Sequence, residues 1–244
     1  MKKEIISRNF SRSALQYEAN ARLQKRVAQE LVRQCGNLSG QVLDIGAGPG
    51  VIAKNSDWNI VSLDISYDMC ALADGISVNA DAEHLPFQNE VFAHVVSSLS
   101  LQWVEHLENT LAEIFRVLQP GGKFSFSTFA PSSLAELKAA FTYLDSSQHL
   151  MEFEHAIRIF AMLKKTGFEN LIMKSQKISY QYPDIFSALH SIKNIGASYN
   201  YNLHMGLRGK DYFKKLENIY RGICKCEGDI PLKWEVLYIH AEKA

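Results

Sequence analysis

The chain has 244 residues, 47% of them hydrophobic, enough to bury a core without disulfide or metal staples. Its 26 Lys and Arg balance its 26 Asp and Glu, so no overall field draws it to nucleic acid or to a membrane surface. The opening MKKEIISRNFSRS lacks the apolar core of a signal peptide, and no stretch has the apolar length of a membrane span, so a cytoplasmic protein with reduced thiols is expected.

The segment from about Phe10 to Gln34 is helical in pattern. Leu15, Leu23, Val27, Leu31 and Val32 recur at roughly helical spacing, and Gly36 is a natural stop. Strands and helices then alternate. A strand at 42–45 leads to a short helix at 51–55, and a strand at 60–63 ends at Asp64. A short helix at 67–73 and a brief strand at 76–78 follow. The fourth strand is 91–97, an amphipathic helix covers 107–118, and the turn in QPGGKFSFSTF opens a fifth strand at 123–129. This rhythm predicts an α/β fold with a doubly wound, mainly parallel sheet.

Beyond it, 135–144 and 153–165 look helical, 171–179 reads as a strand, and 184–225 is helical and loop-like, rich in Tyr and Asn. A last strand is expected at 234–240. Two late strands framing a helical insert predict a sheet edge with a cap rather than an independent domain. The expected organisation is one domain, 1–244, with an N-terminal helical cap at 1–36, a cofactor-binding core at 37–130 and a helical substrate insert at 180–232. The four cysteines, Cys35, Cys70, Cys224 and Cys226, lack paired CxxC spacing and read as plain thiols, with no metal site expected.

VLDIGAGPG carries the first chemistry. A glycine turn that follows a strand lets a ligand approach the backbone closely. A triphosphate loop needs a lysine and a hydroxyl after its second glycine, and Lys54 lacks that spacing. A dinucleotide turn needs glycine at its sixth position, where this chain has Val51 instead. Asp44, just before the glycines, would repel a pyrophosphate but can help to orient an ammonium. That combination points to S-adenosylmethionine, which carries an amino-acid end and a sulfonium but no phosphate. Asp64, at the end of the second strand, can accept from both ribose hydroxyls, and Asp81 in NADAEHLPF can accept from the exocyclic amine of adenine, with Ala82 as a backbone donor.

Together VLDIGAGPG, LDIS, DAEHLPF and FRVLQPGGKFSFSTF resemble the class I S-adenosylmethionine-dependent methyltransferases over about residues 36–130. The resemblance implies a Rossmann-like seven-stranded sheet whose last strand is antiparallel. It also implies a cofactor set of Gln24, Asp44, Gly46, Gly48, Gly50, Asp64, Ile65, Asp81, Ala82, Ser98 and Leu99, and S-adenosylhomocysteine as the product left behind.

The stretches FSRSALQYEANARLQKRVAQELV, LSLQW, KNIGA and PLKWEVLYIHAEK extend the likeness nearly end to end. They resemble the malonyl-[acyl-carrier-protein] O-methyltransferases of biotin synthesis. That implies methylation of the free carboxylate of malonyl-phosphopantetheine on an acyl carrier protein. It also implies an N-terminal segment that closes over the cofactor. Two departures are visible. Ala47 and Pro49 replace the Cys and Thr common in this turn, and only 14 positions separate Gly50 from Asp64, so the first helix is short.

A carboxylate acceptor is ionised at pH 7 and needs no general base. No His–Asp dyad is therefore expected, and the eight histidines read as surface or core residues. Tyr17 is the first candidate to orient the reacting groups. Gln102 and Trp103 are expected beside the methyl-transfer point, and Lys193, Lys214 and Lys215 as a basic patch for an acidic carrier protein. Rival readings are a methyltransferase for another small carboxylic acid or natural product and a non-catalytic S-adenosylmethionine-binding partner protein. A nicotinamide-dependent oxidoreductase is more distant.

Overall fold

In this computed structural model seven strands lie in one sheet, ordered β3-β2-β1-β4-β5-β7-β6. The structure describes residues 3, 4, 7, 8, 10, 11, 21–145, 149–193 and 209–244, with the side chain of Lys193 left aside. The strands are β1 (Gln41–Ile45), β2 (Asn59–Asp64), β3 (Ile76–Asn79), β4 (Phe92–Ser98), β5 (Leu118–Phe129), β6 (Phe168–Tyr182) and β7 (Ile230–Lys243). All pairs from β3 across to β5 are parallel, whereas β7 runs antiparallel to both β5 and β6. The doubly wound sheet and its antiparallel last strand are as expected.

Helices cover both faces. On one, α1 (Arg22–Cys35) presses Leu23, Val27 and Leu31 into a core shared with Val96, Phe129 and Tyr238. On the other, α3 (Leu107–Val117) and α5 (Ala156–Thr166) bury Leu111, Ile114 and Leu163 against Leu43, Val95 and Phe124. The remaining helices are α2 (Tyr67–Cys70), α4 (Ala135–Asp145), α6 (Ile185–Lys193) and α7 (Lys210–Cys224). Among the described residues no helix is long and apolar enough to cross a membrane.

Several elements depart from the expected lengths. The β1–β2 connection holds only a 3-10 turn, Ala53–Asn55, and α2 is a single turn, so exposed Tyr67 and Ile76 mark a thinly covered sheet edge. At the other edge β6 and β7 run 15 and 14 residues, well past 171–179 and 234–240. The extra length comes from mutual pairing, from Phe168 opposite Lys243 to Tyr182 opposite Ile230, which local apolarity does not reveal.

Candidate cofactor site at the carboxyl ends of the parallel strands

The glycine turn bends back onto β2. The amides of Gly46 and Ala47 both donate to the Leu63 carbonyl, at 2.7 and 3.0 Å. Gly46 has φ +69°, and a Cβ there would overlap the Ser100 side chain after β4. The next glycine, Gly48, donates its amide to Asp64 Oδ2 at 2.9 Å, and Ser66 donates to Oδ1 at 2.8 Å. Asp64 is thus fixed by two backbone donors. Burial pushes its carboxyl above the ordinary range, against the pull of those amides.

Asp44 lies beneath. It is buried, and neither carboxylate oxygen has a hydrogen-bond partner among the described residues. Burial, with the neighbouring Asp64 charge, pushes its pKa up to about 8. A buried carboxylate without a partner is costly, and a cation would relieve it.

The loop after β3 is braced from α3. Glu113 accepts from the Leu85 amide at 2.8 Å, while Arg116 donates to the Leu85 and Phe87 carbonyls. Buried Glu83 accepts from the amides of Glu105 and His106, ahead of α3. This bracing presents Asp81 and Ala82 beside Asp64. After β4, Leu99 takes a left-handed turn, φ 48°, and its amide donates to the Ser127 carbonyl and hydroxyl. That turn sets Ser100 against Gly46 and leaves Trp103 in the same cavity wall. These groups enclose a cavity of about 90 Å³, whose walls include Gly46, Gly48, Asp64, Ile65, Met69, Asp81, Ala82, Ser98, Leu99 and Trp103.

Residues 43–126 match the family described as "Methyltransferase domain". The Malonyl-[acyl-carrier protein] O-methyltransferase of Nitrosospira multiformis is 30% identical, over 99% of this chain and 89% of its own length. That of Gallionella capsiferriformans is 31% identical over 99% and 91%. The chain belongs to the malonyl-[acyl-carrier protein] O-methyltransferase family. It also matches the biotin biosynthesis bifunctional protein BioHC of Teredinibacter turnerae at 30% identity, spanning 47% of that longer protein.

Solved structures agree on the fold. The YcgJ protein of Bacillus subtilis has a TM-score of 0.64 at 17% identity, covering 88% of this chain and 97% of its own. A SAM-dependent methyltransferase of Thermotoga maritima scores 0.61 at 18%, covering 97% and 99%. Another match is the [4+2]-cyclase SpnF, with a TM-score of 0.56 at 16% identity over 90% of this chain and 81% of its own, so the fold alone does not fix the reaction.

The cofactor of this family member is S-adenosylmethionine, and the residues present fit it. The unpartnered Asp44 carboxylate suits a ligand that brings an ammonium. The bare α-carbon of Gly46 allows close approach. Asp64 and Asp81 offer acceptors for hydroxyls and an amine, and Ile65, Met69 and Leu99 supply apolar walls. Asp64→Asn should weaken S-adenosylhomocysteine binding by about 1.5–3 kcal/mol, through loss of a charged acceptor. Unchanged affinity by calorimetry would remove Asp64 from the site.

Several expected site residues lie elsewhere. Gly50 packs against Ala73 and does not line the cavity. Gln24, on α1, also lies outside the lining, its Oε1 buried and unpartnered among the described residues. Gln102 turns away as well: its Nε2 donates to the Leu99 carbonyl at 2.6 Å, and its side chain lines a neighbouring groove with Phe126, Thr128 and Phe153. Tyr17 lies outside the described residues, as does the side chain of Lys193. Lys214 and Lys215 are exposed on α7.

A His–Asp pair does exist, but away from the cavity. His149 Nε2 is 2.7 Å from Asp145 Oδ1, and Tyr212 donates to Asp145 Oδ2 at 2.9 Å. This cluster ties α4 to α7 and does not line the cavity. Lys3, Phe10 and Ser100 are wall residues that sequence reasoning missed. Nothing local marks the first two, since their partners lie about 80 or more positions away; Ser100 is the middle residue of LSL, and only its fit to Gly46 in the fold marks it.

Proposed function

We propose that the chain transfers a methyl group from S-adenosylmethionine to the free carboxylate of a malonyl thioester on an acyl carrier protein, with the cap at 1–36 and the insert at 180–232 completing the acceptor side. Near-full-length identity of about 30% to several proteins named for that reaction carries this reading. When bound, the cofactor would supply an electrophilic methyl for the acceptor carboxylate.

The chain's own part is alignment. Asp44 and Asp64 fix two points of the cofactor, Asp81 a third, and Trp103 and Leu99 exclude water from between them. Such positioning can contribute up to about 7–11 kcal/mol, and no proton need be removed from a carboxylate. Incubation with malonyl-carrier protein and a labelled methyl donor, read by mass spectrometry, tests the proposal. One methyl on the malonyl group is expected; labelled methyl on no malonyl thioester would reject it.

The carrier's approach follows from charge. Glu105, Glu108, Glu152 and Glu154 line the groove beside Gln102, with Glu108 paired to Lys165 and Glu154 to Arg158, so the groove offers an acidic partner little attraction. Exposed Lys210, Lys214 and Lys215 on α7 offer the opposite sign. Lys214→Glu with Lys215→Glu should raise KM for malonyl-carrier protein several-fold at low salt, with the difference fading as salt rises. Malonyl-coenzyme A turnover should change much less. Equal losses on both substrates would mean that α7 shapes the pocket instead.

A further inference from the structure

Two described N-terminal residues, Lys3 and Phe10, reach the cavity lining. Lys3 Nζ lies 2.6 Å from Asp81 Oδ2 and 3.0 Å from Glu83 Oε1. Ser7 Oγ donates to the Ile65 carbonyl at 3.1 Å, Ser11 Oγ is 2.9 Å from Ser66 Oγ, and Phe10 meets Trp103 edge-on at 5.7 Å between ring centres. These contacts fall on the very elements that face the cofactor. Lys3 and Phe10 are themselves part of the cavity wall, and the space they leave, about 90 Å³, is small. A nucleoside amine that takes Asp81 Oδ2 must displace Lys3 from it.

The two acids that hold Lys3 are not equivalent. Glu83 has a side chain only 2% exposed, and the Glu105 and His106 amides fix it independently of Lys3. Asp81 is more open, at 29%, and its other oxygen accepts from the Glu83 amide. Glu83 is thus a fixed post, and Asp81 Oδ2 is the acceptor that a ligand can reach. A lysine ammonium there donates the same kind of N–H bond as an exocyclic adenine amine.

We propose that Lys3 occupies the adenine-amine acceptor of this site, so that the chain's own N-terminal segment competes with S-adenosylmethionine for Asp81 Oδ2. The inference rests on Asp81 being the adenine acceptor. When the nucleoside enters, Lys3 gives up Asp81 and keeps Glu83. It also caps the unliganded pocket and helps to expel the product nucleoside, because it rebinds Asp81 as the amine leaves. A segment that merely anchored a lid would behave oppositely, since its loss would let the cofactor escape.

The two cases differ in sign. In the full-length chain, Lys3→Met should tighten S-adenosylhomocysteine binding about two- to fivefold, the scale of one partly exposed ion pair, through both faster association and slower dissociation. Lys3→Arg, which keeps the cation, should stay near wild type. Calorimetry gives the affinities, and stopped-flow fluorescence of Trp103 gives the rates. Asp81→Asn should weaken binding and erase the effect of Lys3→Met. Unchanged or weaker binding by Lys3→Met, with Asp81→Asn still impaired, overturns the competition but leaves the adenine subsite standing. Asp81→Asn without effect overturns both.

Discussion

Asp44→Asn should gain stability on the wild type as the pH rises from about 4 to about 8, while losing most of its affinity for S-adenosylmethionine. The folded carboxyl titrates at about 8 because it is buried, with the Asp64 charge adding to the shift, against 3.8 for the free group. Between those values the folded chain holds a proton that the unfolded chain has released. The wild type therefore loses stability with rising pH through this group, by up to about 1.4 kcal/mol per pH unit. By pH 7 the variant's advantage should reach about 2–4 kcal/mol, reduced by whatever the new amide leaves unpaired. Urea unfolding at pH 5, 7 and 8.5 measures it, and parallel losses in both proteins would refute it. An ammonium beside Asp44 reverses the preference and favours the ionised carboxylate. Cofactor binding near pH 7 should then release a proton, visible as a buffer-dependent heat in calorimetry. The variant should bind about a hundredfold more weakly with no such release, as expected when a charged partner in a dry site is lost.

Gly46→Ala should cost more than any other single change in the turn. The backbone there has φ +69°, and the new methyl would fall on the hydroxyl and Cβ of Ser100. Left-handed backbone alone costs a non-glycine residue about 1–2 kcal/mol. The overlap forces the loop after β4 outward, taking Leu99 and Trp103 from the cavity wall. A loss of at least about 3 kcal/mol in stability and no detectable cofactor binding are expected. Gly48→Ala is the control: its φ is also positive, at +55°, but nothing lies within 4 Å of the added carbon, so only the backbone cost applies. Adding Ser100→Gly to Gly46→Ala should recover part of the loss. Equal effects of Gly46→Ala and Gly48→Ala would show that the Ser100 contact is unimportant.

The elements legible in the sequence were those whose partners are apolar and everywhere. Strands β1, β2 and β4 are buried runs bounded by polar residues, and they lie within a residue of expectation. The three acids stand at successive strand ends because strand ends are where the chain turns toward the ligand. What stayed hidden depends on one specific distant partner. Lys3 meets Asp81 across 78 positions, and Asp145 meets Tyr212 across 67. The direction of Gln102 is set by one hydrogen bond, to a carbonyl freed by the left-handed turn at Leu99. Periodicity carries no record of such pairings.

The short connections on either side of β2 also bear on how the molecule breathes. The connections flanking β2 hold only a three-residue turn and a four-residue helix, and edge strand β3 is four residues long with none of them buried. Local opening costs least where few apolar groups are buried. Amide hydrogens of β3 should therefore exchange well before those of β4, β5 and β7. A nucleoside that bridges the Gly46–Gly48 turn, Asp64 and Asp81 would lace together the part of the sheet that its own helices leave slack. Its arrival should slow exchange there most, so that the ligand serves as a missing structural brace as well as a reactant.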